Sequence, residues 1–231
     1  MLDAPDSFKV FSIVTATLAV ACFLCAVILV PVDVSSSTLL ALSVLSVLAL
    51  VAESLAVEFT DRITVTASNL PILLAVMFLG PAPAMVVAVA AGLWGCWRER
   101  SVLIGLFNVG NFTLAGAAAG FLFHGLAMSW GFSMGAESAG MLIAGMLAAT
   151  AYQFSVGAAV GLASMLMYRR SFRTYWEAEL GPFGRSLAVL TSLGLLTAAL
   201  YAEMGLVAVV LLFIPLFASQ YMFKLLANEK R

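Results

Sequence analysis

All eleven Lys and Arg residues of this 231-residue chain lie on one side of a membrane in a single topology of eight crossings. That topology starts with the N-terminus in the cytoplasm and crosses at every long apolar run. An excess of Lys and Arg in cytoplasmic segments is the usual mark of membrane orientation. The pattern therefore predicts a polytopic membrane protein with both termini in the cytoplasm. The cations are Lys9, Arg62, Arg98, Arg100, Arg169, Arg170, Arg173, Arg185, Lys224, Lys230 and Arg231.

The composition agrees with this topology. The chain is 63% apolar and 10% charged, whereas a soluble domain has about 25% charged residues. Lipid must therefore solvate most of the exterior, and a backbone in lipid must bond within helices or a closed barrel. The apolar runs are much longer than the roughly 10-residue alternating strands of a barrel. We predict an all-α, polytopic transmembrane helical bundle formed by one domain, residues 1–231, with no basic run suited to nucleic acid.

Charges and helix breakers divide the chain into eight predicted spans. The apolar run that follows Lys9 is too long for the core of a cleaved signal and is the first span. The sequence Gly80-Pro81-Ala82-Pro83 separates the third and fourth spans, because a continuous helix does not absorb these residues. Aromatic residues at helical spacing predict an interfacial helix at about 168–180, either a membrane anchor or a contact for a soluble domain. The spans are about 10–32, 38–58, 63–79, 83–97, 102–126, 138–167, 186–202 and 205–223.

Glu53 is the charged residue that lies deepest in a predicted span. A charge at the centre of a membrane helix costs about 2.5–3.5 kcal/mol on insertion scales. Glu53 should therefore face the bundle, be protonated or find a partner. Two roles are open, binding of a ligand, ion or proton, or a structural hydrogen bond between helices. The candidate partners are Asn69, Asn108, Asn111 and Gln153.

The start of the third span has an unusual pattern. Thr64, Thr66 and Ser68 alternate with apolar residues, and Pro71 soon follows. This predicts an extended or irregular start to the span. Irregular backbone at membrane depth persists only where it lines a cavity or is buried in protein, so the segment is a candidate cavity wall that includes Asn69. The alternative is a helix in which the Ser and Thr hydroxyls bond their own backbone.

The fifth span carries a polar and small-residue face with four-residue spacing. The pair Gly116 and Gly120 has the small-x-x-x-small spacing that allows close helix approach, as does the pair Gly157 and Gly161 in span six. We expect the glycines to serve helix packing, with the two pairs as possible mutual partners. His124 lies at the far end of the same face. As a lone histidine it cannot build a metal site, and ligand binding or a pH response is the alternative to packing.

The three cysteines do not indicate a metal or redox site. Cys22 and Cys25 form a C-x-x-C inside the first span, and Cys96 is distant in sequence. No further cysteine or histidine cluster completes a metal site, so we interpret all three as small apolar packing residues. The chain has no phosphate loop, paired catalytic carboxylates or nucleophile triad. We therefore predict no enzyme activity, no metal and no cofactor.

Three stretches together resemble a known kind of module. They are SNLPILLAVMFLGP at 68–81, continuing to Gly92, then LFNVGNFTLAGAAAGFLF at 106–123, and the last two spans at 193–231. The pattern resembles the bacterial multi-span membrane sensor modules that precede HD-GYP or GGDEF output domains. Those modules are distantly similar to the S components of energy-coupling-factor transporters. The resemblance marks Pro71, Gly80, Pro81, Phe107 and Asn108, none of them catalytic in such modules.

The resemblance implies a sensory function in the bacterial inner membrane, surrounded by lipid. A small or lipophilic ligand would bind within the bundle and shift the last helix. Span eight continues through residues 224–231 without a breaker, as a signalling helix would before a cytoplasmic output domain or in a homodimer formed through this helix. The alternative is an S-component-like subunit that binds a vitamin-type molecule for a transporter. A membrane scaffold without a ligand is the third possibility.

Overall fold

The computed structural model of the chain is an all-α bundle with one short β-hairpin, and it describes residues 4–60, 63–99, 101–132, 139–168, 171, 173, 192–194, 196–201 and 203–229. Residues 192–194 and 196–201 are helical. The hairpin pairs its strands in antiparallel register, with Val57 opposite Val65. The other elements, in chain order, are α1 (Asp6–Leu29), α2 (Ser36–Ser54), β1 (Val57–Thr60), β2 (Ile63–Val65), α3 (Asn69–Phe78), α4 (Pro81–Glu99), α5 (Val102–Trp130), α6 (Ala139–Tyr168) and α7 (Leu206–Glu229).

The turn between α1 and α2 is built from local sequence signals. The helix α1 ends one residue before Val30, which is extended as the residue before a proline tends to be. Ser35 is the N-cap of α2, and its Oγ accepts a hydrogen bond from the backbone N–H of Thr38 at 3.3 Å. The carboxylate of Asp33 stabilises this cap, because the hydroxyls of Ser35 and Thr38 both donate hydrogen bonds to it. Six residues, 30–35, therefore separate the end of α1 from the capped start of α2.

The break between α3 and α4 confirms the predicted Gly-Pro turn. Gly80 has a φ of +92°, a conformation that favours glycine. Pro81 is the first residue of α4, where its missing N–H and fixed φ suit a helix start.

The helix α3 is the centre of the bundle. Every residue from Asn69 to Met77 is buried. It contacts α2, α4, α5 and α6, so its apolar side chains face protein on all sides. At ten residues and about 1.5 Å per residue, it is roughly 15 Å long, half the thickness of a hydrocarbon core.

These bounds correct the sequence prediction at two spans. The predicted second span reached residue 58, but α2 ends at Ser54 and the chain is a strand from Val57. The predicted third span, 63–79, is a short strand followed by a helix too short to cross by itself. Its extended start is confirmed. The shortness of α3 escaped the prediction because its apolar residues are buried inside the bundle, and hydropathy does not distinguish that from burial in lipid.

The remaining helices correspond to the predicted spans within a few residues. The predicted interfacial helix at 168–180 lies outside the described residues except for Tyr168, Ser171 and Arg173. Of the predicted seventh span, only the helical residues 192–194 and 196–201 are described. Among the described residues, four helices are long and apolar enough to cross a membrane, namely α1, α2, α5 and α6. Together with the apolar side chains exposed along α1, this identifies a multi-pass membrane protein.

Close glycine contacts join α5 to α4. A Cβ at Gly120 would lie 2.6 Å from the Cα of Pro81, and a Cβ at Gly92 would lie 2.7 Å from the Cα of Val109. Gly116 faces Ala84 and Ala88 of α4 at ordinary contact distance. The glycine face of α5 therefore packs on α4. The sequence analysis offered Gly157 and Gly161 of α6 as a possible partner for this face. Both are buried in α6, while Gly116 and Gly120 make their contacts with α4.

Candidate functional site

The carboxyl end of α2 is the point where distant parts of the chain meet through polar contacts. The last four carbonyls of a helix lack partners within it. Two of the four are satisfied locally, since Val51 accepts from the N–H of Leu55 at 3.1 Å and Glu53 accepts from the N–H of Ala56 at 3.2 Å. The other two depend on residues far along the sequence.

Two side chains from outside α2 complete this end. The carbonyl of Ala52 accepts a hydrogen bond from Thr66 Oγ1 at 3.3 Å. The carbonyl of Ser54 accepts one from Lys224 Nζ, in α7, at 2.8 Å. A cation at a helix carboxyl end also interacts favourably with the helix dipole. The last turn of α2 is thus tied both to the segment before α3 and to the last helix.

The side chain of Glu53 turns toward the start of α3. Its Oε2 accepts a hydrogen bond of 2.8 Å from the Oγ of Ser68. Ser68 is fully buried and is the N-cap residue of α3. The N–H of Ser68 in turn donates to Thr66 Oγ1 at 3.1 Å. A carboxylate at a helix start is favourable because the N-terminal N–H groups carry partial positive charge.

Tyr152 and Gln153 of α6 bring further polar groups into the interior. Both are buried, at 0% and 4% exposure. Among the described residues, neither the Tyr152 hydroxyl nor the Gln153 amide oxygen has a hydrogen-bond partner. Tyr152 belongs to the same buried core cluster as Ala52 and Ala67, the sequence neighbours of Glu53 and Ser68, and it is near enough to Glu53 for the carboxylate to act on it electrostatically. We call Glu53, Ser68 and Tyr152 the polar cluster, and Gln153, at the next position of α6, is a candidate fourth member.

Buried polar atoms in proteins are nearly always hydrogen-bonded. Two groups on consecutive residues that both lack a partner among the described residues are therefore a marked exception. Such groups are satisfied by water or by a bound molecule. The chemistry of this arrangement is recognition of a small polar group through hydrogen bonds. Among the described residues, no three His, Cys, Asp or Glu side chains come together as a metal site.

The other predicted site residues are spread over the bundle. Asn69 is buried directly after Ser68, and Asn111 is buried in α5. Asn108 is half-buried, and its Nδ2 lies against Gly95 of α4. His124 lies sixteen residues further along α5, about 24 Å at 1.5 Å per residue, and its Nδ1 is buried without a partner among the described residues.

The sequence analysis missed Ser68 and Tyr152 as members of the site. It named amide side chains as candidate partners of Glu53, and the structure shows a hydrogen bond from the hydroxyl of Ser68. Ser68 was noted only as part of an alternating pattern. A tyrosine next to a glutamine in the middle of an apolar span was the available signal for Tyr152. Lys224 was placed at the membrane edge, and nothing in the sequence joins it to Ser54.

An apolar groove lies between α4 and α5 near the N-terminal end of α5. Its volume is about 580 Å³, and it is open on one side through the exposed side chains of Trp97 and Val102. It has no charged lining and is separate in its residues from the polar cluster. The groove is lined by Leu93, Cys96, Trp97, Val102, Leu106 and Val109.

Comparison with known proteins gives one family and one related structure. The sequence model of the MASE9 family matches residues 22–223. No curated protein matches the chain. Among solved structures, the chain is similar to the S component of a bacterial ECF transporter, at 19% identity and a TM-score of 0.41, covering 84% of this chain and 97% of that chain. Because the family match extends over most of the helices, the chain belongs to MASE9, a family of membrane-associated sensor domains.

Proposed function

We propose that this chain is a sensory membrane domain that binds a small or lipophilic ligand within the bundle and relays binding through α7 to a cytoplasmic output. The observation that carries the proposal is the buried Tyr152 hydroxyl, which has no partner among the described residues and lies within electrostatic reach of Glu53, with the equally unpartnered amide oxygen of Gln153 at the next position of α6. A ligand that satisfies them gains hydrogen bonds in a site of low dielectric constant, where such bonds are strong. Membership of a sensor-domain family agrees with this role.

A sensor also requires that the ligand favour one of two conformations. The polar cluster joins α2, α3 and α6, and the same end of α2 contacts α7 through Lys224. A ligand that changes the position of Glu53 therefore acts on a turn that α7 already touches. The output is a domain of HD-GYP or GGDEF type, or a second copy of this chain that pairs through α7. The basic end of the bundle faces the cytoplasm of a bacterial cell whose inner membrane holds the protein.

The proposal is tested by mass spectrometry of the intact protein, released from its native membrane in a mild detergent. We expect a bound non-protein mass on the wild-type protein that is lost from Glu53→Gln and from Gln153→Leu. Glu203→Gln is the matched control, because it makes the same chemical change at an exposed position that is not part of the polar cluster. Equal ligand mass on the wild-type and Glu53→Gln proteins would show that the polar cluster is structural.

The S-component-like alternative uses the same polar cluster but a different partner. It predicts that the bound molecule accumulates inside cells and that an energising subunit co-purifies with the chain. A sensor predicts neither result. Uptake of the identified molecule by cells that express the chain, compared with cells that express Glu53→Gln, separates the two functions.

A further inference from the structure

The helix α7 consists of two halves that are held in different ways. In the half before Pro215, Ala208, Val209 and Phe213 are buried, and the last two belong to the main core. In the half after Pro215, Gln220 is the buried residue among the side chains that the structure describes there. Leu216 and Phe217, directly after Pro215, still pack on this core from partly buried positions, whereas Tyr221, Met222 and Leu225 are exposed. Apolar packing therefore holds α7 as far as Phe217, and the described side chains beyond it are held less firmly.

Pro215 lies between the two halves and inside the helix. A proline has no N–H to donate to the carbonyl four residues earlier, and its ring crowds that carbonyl. Helices bend at such positions more readily than elsewhere. The second half of α7 can therefore turn about Pro215 while the first half stays in the core.

Among the side chains described after Pro215, Lys224 makes a polar contact between the second half of α7 and the rest of the bundle. Its Nζ donates to the carbonyl of Ser54 at 2.8 Å, across 170 residues of sequence. Gln220, one turn earlier, has a buried amide oxygen without a partner among the described residues, so it adds no polar tie there through that atom. The accepting carbonyl belongs to the residue after Glu53, whose carboxylate bonds Ser68.

We propose that Lys224 is a latch that holds the second half of α7 on the carboxyl end of α2, with Pro215 as its hinge. The position of the Ser54 carbonyl is set by the last turn of α2. That turn also carries Glu53. A ligand that breaks the bond between Glu53 and Ser68 therefore moves the Ser54 carbonyl to which Lys224 donates its hydrogen bond. Release of Lys224 then lets the second half of α7 swing. This inference deepens the proposed function and rests on it only for the step in which a ligand acts.

The latch is tested without any ligand, by the distance between two spin labels on the full chain in lipid nanodiscs. The three native cysteines are first replaced by alanine. One label pair, at Val47 and Met222, joins α2 to the second half of α7. The control pair, at Leu40 and Val207, joins α2 to the first half. All four side chains are exposed, so the labels displace no core residue.

We expect Lys224→Met to broaden and shift the Val47–Met222 distance by about 4–5 Å, because a bend of about 20–30° acts over the seven residues from Pro215 to Met222, roughly 10 Å of helix. The Leu40–Val207 distance should stay as in the wild type. Lys224→Arg keeps the charge and the donor and should keep the wild-type distance. A Lys224→Met protein whose Val47–Met222 distribution equals that of the wild type would overturn the proposal.

Two further variants keep the test decisive. Pro215→Ala restores a helix hydrogen bond, so in the Lys224→Met background it should reduce the shift; an undiminished shift would reject Pro215 as the hinge. Ser68→Ala should produce a smaller shift of the same kind through the last turn of α2. Its control is Ser43→Ala, which removes only a local bond to the Leu39 carbonyl. If Ser68→Ala and Ser43→Ala gave the same label distances, the bond between Ser68 and Glu53 would have no effect on the latch, and the proposed link from Glu53 to Lys224 would be wrong.

The two hypotheses fail in different ways. If Lys224→Met leaves the label distances unchanged while Glu53→Gln loses the bound ligand, the latch is wrong and the ligand site stands. If the distances shift but no ligand binds at Glu53, the latch exists and the proposed function is wrong.

Discussion

Ser68 and Glu53 are joined by a 2.8 Å hydrogen bond across fifteen residues, from the start of α3 to the end of α2. The hydroxyl is fully buried, and the carboxylate is partly buried. The bond connects the central helix to the turn that also receives Lys224. Its energy therefore bears on both the stability of the bundle and the position of α7.

Ser68→Ala should lower the free energy of unfolding by about 1.5 kcal/mol, which is the lower end of the range for a hydrogen bond to a charged group. The measurement is denaturant unfolding of the purified protein in mixed micelles. A cycle that combines it with Glu53→Gln should give a coupling energy of about 1 kcal/mol, because the two residues are in contact. Ser43→Ala, with its local exposed bond, should change stability by less than about 0.5 kcal/mol. Equal losses in the two serine variants would contradict the role given to Ser68.

Gly120→Ala should destabilise the protein by about 1–3 kcal/mol, the usual cost of overpacking. The new Cβ would lie 2.6 Å from the backbone Cα of Pro81, which no side-chain rotation relieves. Gly125 lies in the same helix with nothing within 4 Å of an added Cβ. Gly125→Ala should therefore stabilise α5 by about 0.5–1 kcal/mol, because alanine loses less backbone entropy. Thermal unfolding of the two variants decides the sign, and a loss of stability in Gly125→Ala would mean that helix packing is not the cause.

The sequence predicted those parts of the fold that follow from lipid and from local chain chemistry. The Gly80-Pro81 turn and the bounds of α5 and α6 are within a few residues of the prediction. The hairpin and the shortness of α3 were not predictable from hydropathy, since α3 is apolar because it is surrounded by protein. Contacts between residues that are far apart in the sequence were harder still to predict.

The candidate site shows the same division. Glu53 was recognised because a charge deep in an apolar span requires an explanation. Its bond to Ser68 was not, because a hydroxyl in a membrane helix usually bonds its own backbone, as Thr113 does here with the carbonyl of Val109. The contact between Lys224 and Ser54 depends on how α7 packs on α2, and no spacing rule connects residues so far apart.

Tyr152→Phe should leave stability unchanged or raise it by about 1 kcal/mol. The hydroxyl is buried without a hydrogen-bond partner among the described residues, and burial of an unpaired polar group opposes folding. The same variant should lose ligand, because that hydroxyl is part of the proposed polar cluster. Tyr221→Phe, at an exposed position of α7, should change neither property. A loss of more than about 1 kcal/mol in Tyr152→Phe would mean that the hydroxyl bonds a structural water.

The cap at the start of α2 should respond to acid in a defined direction. Hydrogen bonds from the Ser35 hydroxyl, the Thr38 hydroxyl and the Ser35 N–H lower the pKa of Asp33 below its ordinary value of 3.8. A carboxyl whose pKa is lowered on folding contributes stability above its ordinary pKa, and that stability is lost as the pH falls through the lowered value. The cap should therefore be intact at neutral pH and weaken only below pH 3.8.

Amide hydrogen exchange at the first turn of α2 measures this cap. Asp33→Asn should exchange faster than the wild type at pH 6, and the difference should vanish as the pH falls through the lowered pKa of Asp33. Ser35→Ala removes the largest of the three stabilising contacts and should return the pKa of Asp33 toward 3.8, which carboxyl-carbon NMR detects. Exchange at the first turn of α5, which has no carboxylate cap, is the internal reference. If the wild type and Asp33→Asn still differed fully when Asp33 is protonated, the asparagine would be acting through the backbone of the turn, and the charge on Asp33 would have no part in capping α2.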